Sequence, residues 1–156
     1  MSELSHFDAD GSPRMVDVSG KPETKRIARA HAFVFMSVDV IAKLGENPKG
    51  NPLEIARIAG IAAAKKTSDL IPLCHPVMLT HVDVETSIEP HGVRIVTSAV
   101  TTAQTGVEME ALTAAAVAAL TIYDMTKALD KAIEIRELYL LMKTGGKSGD
   151  FARAEK

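Results

Sequence analysis

The sequence predicts an α+β domain in which an antiparallel sheet is covered by helices. Segments that favour strands and segments that favour helices are interleaved along the chain, with no internal repeat or linker between them. Residues 78–86 alternate with a period of two, and a turn at 90–92 leads into residues 93–101, so these segments predict an antiparallel hairpin. A long alanine-rich run follows at about 107–130 and predicts a helix that covers the sheet.

The elements before the hairpin follow from local signals. Residues 15–19 alternate and predict a short strand, whereas residues 22–24 open a polar, helix-compatible run that leads into a strand over 30–36. A helix is expected over 38–44, where Gly45 ends it. Asn51 is a good N-cap with Pro52 at the first helical position, so a second helix is expected to run from there toward Lys65.

The chain is expected to end in a strand over 133–142 and a glycine-rich segment over 143–149. Residues 1–14 are expected to be a flexible N-terminal tail, and residues 15–156 a single catalytic domain.

Composition narrows the class of protein. A chain of 156 residues buries a normal core without disulfides, and its single cysteine fits a reducing compartment. The formal net charge of −2 argues against general nucleic-acid binding, and the apolar run over 112–123 is too short to span a membrane. No signal peptide is recognisable, so we expect a cytoplasmic protein that does not bind membranes. The abundance of alanine and the absence of tryptophan favour an oligomer whose helices share burial.

The segment over 65–76 carries the densest chemistry. Pro72 and Pro76 each force the preceding residue into an extended conformation, so the chain between these two prolines is not a continuous helix. Cys74 and His75 lie between these prolines, but neighbours on an extended chain point in opposite directions, which disfavours a nucleophile–base pair. A buried thiol beside a hydrogen-bonded histidine and a pair of substrate contacts both fit the pattern. Zinc is not expected, because the chain has no second cysteine.

The long helix carries a second candidate site. One face of this helix carries Asp124, Lys127 and Lys131. These side chains form either a solvated stripe of ion pairs or a catalytic acid with two cations. Asp124 follows a segment that looks buried, so it is expected to be partly enclosed. Glu110 lies near the same azimuth but about 21 Å along the axis, too far for both carboxylates to grip one small reacting centre. They serve different sites, hold opposite ends of a long substrate, or meet across two chains.

Two loops offer cations for phosphate groups. The glycine-rich segment carries Lys143 and Lys147, but position 141 is leucine instead of the glycine that a P-loop requires. The segment is either a loop that closes over phosphates or a disordered basic terminus. Lys49 lies in a proline-punctuated turn and is a similar case.

Six segments of the chain recur in one order in a known family. On these segments, which span nearly the whole chain, the sequence resembles the cyclic pyranopterin monophosphate synthase (MoaC) family of molybdenum cofactor biosynthesis. The segments are Met-Val-Asp-Val at 15–18, Ala-Arg-Ile-Ala-Gly-Ile at 56–61, the 65–76 segment, Thr-Gly-Val-Glu-Met-Glu-Ala-Leu at 105–112, the stretch 120–127, and Gly-Gly-Lys-Ser-Gly-Asp at 145–150.

The resemblance implies a fold, an assembly and a reaction. It implies a ferredoxin-like subunit in a homohexamer, a trimer of dimers, with active sites at subunit interfaces. The implied substrate is a GTP-derived cyclic nucleotide, 3′,8-cyclo-7,8-dihydroguanosine 5′-triphosphate, and the products are cyclic pyranopterin monophosphate and diphosphate. No redox cofactor is implied, and the sequence does not show whether Mg²⁺ accompanies the triphosphate. The alternative is a non-catalytic nucleotide-triphosphate-binding or scaffold protein on the same fold.

The resemblance also assigns residues. Asp124 matches the catalytic acid/base and Lys127 its neighbouring lysine; Lys49 and His75 complete the catalytic set. The implied substrate-binding residues are Leu73, Cys74, His75, Met109, Glu110, Lys65, Lys147 and Arg26. The family often has Lys-Gly-Asp where this chain has Lys49-Gly50-Asn51, so no carboxylate role is carried over to position 51.

Overall fold

The structure, a computed structural model, describes residues 6–154 and consists of one sheet with helices packed on it. The strands are Thr24–Phe35 (β1), Leu79–Glu89 (β2), Gly92–Ala103 (β3), Glu134–Thr144 (β4) and Phe151–Ala152 (β5). The helices are Val38–Ala42 (α1), Pro52–Ala64 (α2), Thr67–Leu70 (α3) and Glu108–Thr126 (α4), with a 3-10 turn at Leu44–Glu46.

The sheet is antiparallel throughout, with the strand order β2-β3-β1-β4-β5. Taken in chain order, β1-α2-β2-β3-α4-β4 is the βαββαβ arrangement of ferredoxin-like domains. The α+β class, the antiparallel sheet and the single domain predicted from the sequence are therefore confirmed.

The central strand β1 is built from small residues on its covered face. Ala28, Ala30, Ala32 and Val34 alternate along it and are at most 1% exposed, so α4 lies close to the sheet. The strand itself begins at Thr24, before the predicted start at residue 30. The prediction of a helix-compatible run from residue 22 was wrong, because residues 24–29 pair with β3 in register.

The two long helices pack against each other on one face of the sheet, with α2 over β2 and α4 mainly over the central strand β1. Gly60 of α2 makes their close approach possible: a Cβ at this position would lie 2.9 Å from Val84 Cγ2, 3.0 Å from the Ala114 carbonyl oxygen and 3.3 Å from Ala118 Cβ. The loop before α2 is bound to the end of α4, because Asn47 Nδ2 donates to the Met125 carbonyl at 2.7 Å. The helices are thus antiparallel, and the C-terminal end of α2 lies near the N-terminal end of α4.

Several boundaries differ from those predicted. Residues 15–19 form no strand; Asp17 Oδ1 instead accepts from the Ser19 amide at 2.9 Å and from its hydroxyl at 2.7 Å. Helix α4 ends at Thr126 instead of 130. The glycine-rich segment turns into β5, which pairs with Met142 and Lys143.

The predicted tail falls partly outside the described residues, because residues 1–5 lie beyond them. Residues 6–14 form a turn closed by a bridge between Phe7 and Pro13, in which Asp8 and Asp10 both accept from the Ser12 amide. Between residues 6 and 154, no helix has the length and apolar character needed to cross a membrane.

Candidate active site

The 65–76 segment is folded against the start of α4. Helix α2 ends at Ala64 and Lys65 is its C-cap; a single turn, α3, then leads into Ile71 and Pro72. The Cys74 amide donates to the Ile71 carbonyl at 3.1 Å, which turns the chain toward the N-terminal end of α4. The prediction that the chain between Pro72 and Pro76 is not a continuous helix is confirmed.

This turn forms one wall of a small pocket of about 190 Å³. The opposite wall is formed by the first turn of α4 and by Thr105 and Gly106. The lining residues are His6, Leu73, Cys74, His75, Thr105, Gly106, Glu108, Met109 and Glu110. All five residues that the resemblance assigned to substrate binding from the 73–75 and 109–110 segments therefore lie together.

Hydrogen bonding fixes the imidazole of His75. Its Nε2 lies 2.6 Å from the Val16 carbonyl oxygen, so this nitrogen carries a proton and donates it to that carbonyl. The stretch predicted to be a strand at 15–19 instead orients a pocket residue through the Val16 carbonyl. His75 also contributes, after the hydrogen bonds from Ser19, to lowering the pKa of Asp17.

Glu110 is the buried acid of the pocket. Only 4% of the residue is exposed, and burial, assisted by the charge of Glu108, raises the pKa of its carboxyl to about 7. Burial and the nearby Glu110 charge also raise the pKa of the Cys74 thiol. A thiol with a raised pKa is a poor nucleophile at neutral pH, so the pocket favours Cys74 as a wall residue.

A larger cationic cleft of about 760 Å³ adjoins the pocket and shares Thr105, Gly106 and Glu108 with it. Four basic side chains line this cleft: Lys21, Arg26, Lys143 and Lys147. Lys21 was not predicted as a binding residue, because no motif in the sequence around it indicates that role.

The guanidinium of Arg26 is held in place by the sheet and the glycine loop. Its Nε donates to the Ala103 carbonyl at 3.3 Å and its Nη2 to the Gln104 carbonyl at 3.2 Å. Gly146 has a positive φ of 87°, and a Cβ there would collide with Arg26 Nη1, so the glycine is needed for the loop to pass over the guanidinium.

A second group of charges lies at the other end of α4. Lys127 Nζ donates to Asp124 Oδ1 at 2.6 Å. This hydrogen bond and the lysine charge lower the pKa of Asp124, and the charge of Lys49 lowers it further. The same hydrogen bond raises the pKa of Lys127. Asp124 is therefore an ionised base and Lys127 a cation at neutral pH.

Lys49 reaches this group because its loop is bound to α4. Besides its bond to the Met125 carbonyl, Asn47 accepts from the Lys49 amide at 3.0 Å. The cleft between this loop and the end of α4 has a volume of about 270 Å³. Lys131 was expected to extend the charged face, but it lies beyond the end of α4 and this expectation was wrong.

The acid–lysine group is open to solvent in the single chain. The Asp124 side chain is 61% exposed and that of Lys127 51%, so the expectation that Asp124 is partly enclosed was also wrong for one chain. The reason is that Leu120, one turn earlier, is itself 55% exposed. Helix α4 thus presents this side to solvent.

The two groups do not meet within one chain. Glu110 and Asp124 lie fourteen positions apart on the same straight helix, about 21 Å along its axis. Lys65 lies at the Glu110 end, exposed at the C-terminus of α2, and is not among the residues that line the pocket or the cationic cleft. Across residues 6–154, no three His, Cys, Asp or Glu side chains come close enough to hold a metal ion.

Fold and site together define a ferredoxin-like α+β protein with an acid–histidine pocket that adjoins a cleft lined by basic side chains. The chain belongs to the MoaC family, whose pattern it matches over residues 15–146. It is similar to a protein of Deinococcus radiodurans named cyclic pyranopterin monophosphate synthase, with 53% identity over 156 residues, 99% of this chain and 92% of that relative. The resemblance identified from the sequence is confirmed.

Proposed function

We propose that this protein is a cyclic pyranopterin monophosphate synthase of molybdenum cofactor biosynthesis. It converts 3′,8-cyclo-7,8-dihydroguanosine 5′-triphosphate into cyclic pyranopterin monophosphate and releases diphosphate. The observation that carries this proposal is the continuity of the Glu110–His75 pocket with a cleft lined by four basic side chains. A purine-derived ring and a triphosphate need adjoining sites of these two kinds. Membership of the MoaC family supports the same activity.

The substrate is proposed to lie with its base in the pocket and its triphosphate in the cleft. Leu73, Cys74 and Met109 pack on the ring system, while Glu110 and His75 face its polar atoms. A carboxyl whose pKa is about 7 is protonated in half of the molecules at neutral pH, so Glu110 is able to donate a hydrogen bond to a ring nitrogen or accept one.

The phosphate end is proposed to be held by Arg26 and Lys147, with Lys21 and Lys143 beside them. Closing the cyclic phosphate expels diphosphate, so negative charge develops on the leaving oxygen. Positive side chains held around that position stabilise the transition state more than the ground state. Lys65, at the end of α2, is proposed to reach the substrate once a second chain completes the site.

Proton transfer is assigned to the group at the far end of α4. Opening and reclosing the purine-derived ring requires a base that removes a proton and a cation that stabilises the resulting charge. Asp124, with its lowered pKa, is suited to the first task, and Lys127 and Lys49 to the second. His75, whose Nε2 is bound to the Val16 carbonyl, is proposed as a relay at the pocket through Nδ1.

Each active site is proposed to combine two chains. The axial separation of about 21 Å prevents Asp124 and Glu110 of one chain from gripping the same small ring system. The exposure of Asp124 and Lys127 leaves this end of α4 free to face the pocket of a neighbouring copy. We therefore propose a homohexamer built as a trimer of dimers, with active sites at subunit interfaces.

The remaining assignments rest on the chemistry. Neither ring opening nor phosphate cyclisation changes the overall oxidation state, so no redox cofactor of the protein is proposed. Mg²⁺ is proposed only as a partner of the triphosphate. A reducing, cytoplasmic location is proposed because the single cysteine, Cys74, lines the pocket as a free thiol.

The test is a coupled assay that measures diphosphate release and pterin fluorescence from the cyclic triphosphate. The wild-type protein is expected to form both products, while Asp124→Ala and Lys127→Ala lose turnover by at least about a thousandfold with the fold and oligomer intact. Lys131→Ala is the matched control, because it removes a lysine beyond the end of α4. Binding of the triphosphate without diphosphate release would instead favour a non-catalytic binding protein, and turnover by Asp124→Ala would refute the assigned base.

A further inference from the structure

Glu108 is an acidic residue in a cleft that is otherwise basic. Among the described residues that line the cationic cleft, it is the one carboxylate, facing Lys21, Arg26, Lys143 and Lys147. It also lines the adjoining pocket, so it lies at the junction of the two cavities. A carboxylate at the phosphate end of a cleft opposes anion binding, and it therefore needs an explanation.

Glu108 is paired with one of the cleft cations. Its Oε1 lies 3.8 Å from Lys143 Nζ, and the two side chains are 32% and 19% exposed. Of the ion pairs found among residues 6–154, this is the one in which both side chains are less than a third exposed. Lys143 also donates to Ser148 Oγ of the glycine loop, so the pair connects α4 to that loop.

The backbone makes room for this position of the carboxylate. Glu108 is the first residue of α4, and its carboxylate folds back over Gly106, where any Cβ would collide with Oε2. Val107 between them is 1% exposed, which fixes the start of the helix. The Thr105–Gly106 turn thus allows Glu108 to lie across the mouth of the cleft.

We infer that Glu108 is an internal counter-ion that competes with phosphate groups for Lys143 and so weakens the retention of the product diphosphate. This inference rests on the proposed function in taking the cleft as the phosphate end of the site. A bound triphosphate, with several negative charges and further contacts from its nucleoside, displaces the carboxylate. Diphosphate alone lacks the nucleoside contacts, so Glu108 returns to Lys143 and the product leaves.

The test is titration calorimetry with inorganic diphosphate at low ionic strength, using the full-length protein. Glu108→Gln keeps the shape of the side chain and removes its charge, and is expected to bind diphosphate about five- to tenfold more tightly than the wild type. The gain is expected to shrink at high salt, because the cleft is open to screening. Glu134→Gln is the control: it neutralises a carboxylate paired with Arg136 at the opposite end of β4 and should leave the affinity unchanged.

Lys143 is tested as the contested cation by a double-mutant cycle. Lys143→Met alone should weaken diphosphate binding, and adding Glu108→Gln to it should then change the affinity by less than about twofold. Three results would each overturn the inference. The first is unchanged or weaker diphosphate binding by Glu108→Gln, and the second is the full gain in affinity from Glu108→Gln in the Lys143→Met background. The third is no diphosphate binding by either the wild type or Glu108→Gln. Because the assay involves no turnover, a protein that binds diphosphate in this way but forms no pterin would refute the proposed function, while the competition of Glu108 with phosphate groups for Lys143 would still hold.

Discussion

Replacing Glu110 with glutamine is expected to stabilise the fold at neutral and alkaline pH but much less in acid. The carboxyl is buried, and its pKa is raised from 4.5 to about 7 in the folded protein. Between these two values the unfolded chain has released its proton while the folded chain keeps it. Stability therefore falls as the pH rises through this window, and above pH 7 the full cost of burying the ionised carboxylate is present.

The magnitude follows from the shift. A rise in pKa of this size lowers the free energy of unfolding by about 3 kcal/mol at pH 8 and by about 1 kcal/mol at pH 5. Glutamine resembles the protonated carboxyl in shape and carries no charge, so Glu110→Gln removes this cost at every pH. The gain in the free energy of unfolding is thus expected to grow by about 2 kcal/mol between pH 5 and pH 8.

Urea unfolding of the wild type and Glu110→Gln at intervals from pH 5 to pH 8 measures this difference. Glu134→Gln is a control of opposite sign, because the hydrogen bond from Arg136 lowers the pKa of Glu134. This variant should show no gain in the free energy of unfolding at high pH. A gain for Glu110→Gln that is the same at pH 5 and pH 8, or that decreases toward alkaline pH, would refute the reasoning that burial keeps Glu110 protonated.

Two further predictions concern the packing of α2 and the loop before it. Gly60→Ala should lower the free energy of unfolding by about 1 kcal/mol, because the overlap with Val84 Cγ2 and the Ala114 carbonyl outweighs the gain in helix propensity. Gly45→Ala is its control, since nothing lies within 4 Å of a Cβ there, and equal unfolding midpoints for the two variants would contradict the account. Asn47→Ala should lower turnover about tenfold by releasing the loop that carries Lys49, measured in the coupled assay; unchanged turnover would show that Lys49 needs no such support.

The hairpin and the long helices were predictable because their signals are local. The alternation of 78–86 and the cap at Asn51 each depend on neighbouring residues, and both correspond to observed elements. The first half of β1 was not predictable in this way, because Lys25 and Arg26 suit a helix surface as well as a strand. Only pairing with β3, nearly eighty residues away, selects the strand.

The candidate site was predicted in pieces but not as a geometry. The resemblance located the 73–75 and 109–110 segments, and the structure brings them into one pocket. Neither spacing nor motif reveals Glu108 as the partner of Lys143, since that contact depends on how β4 returns beside the start of α4. The exposure of Asp124 was missed for a related reason: an apolar neighbour such as Leu120 looks buried when the sequence is read as a single chain, but it lies on an outward face.

The most direct test of the account is turnover by a mixed assembly of two inactive variants. His75→Ala lacks the pocket relay and Lys127→Ala lacks the cation at the far end of α4, so each alone should be inactive. If every site combines these elements from two chains, half of the dimers in an equal, random mixture are mixed, and each mixed dimer has one intact site. Co-expressed protein should therefore recover about a quarter of the wild-type diphosphate release and pterin formation. A mixed assembly, shown by two affinity tags to contain both variants, that remains as inactive as its parents would contradict a synthase with active sites shared between subunits.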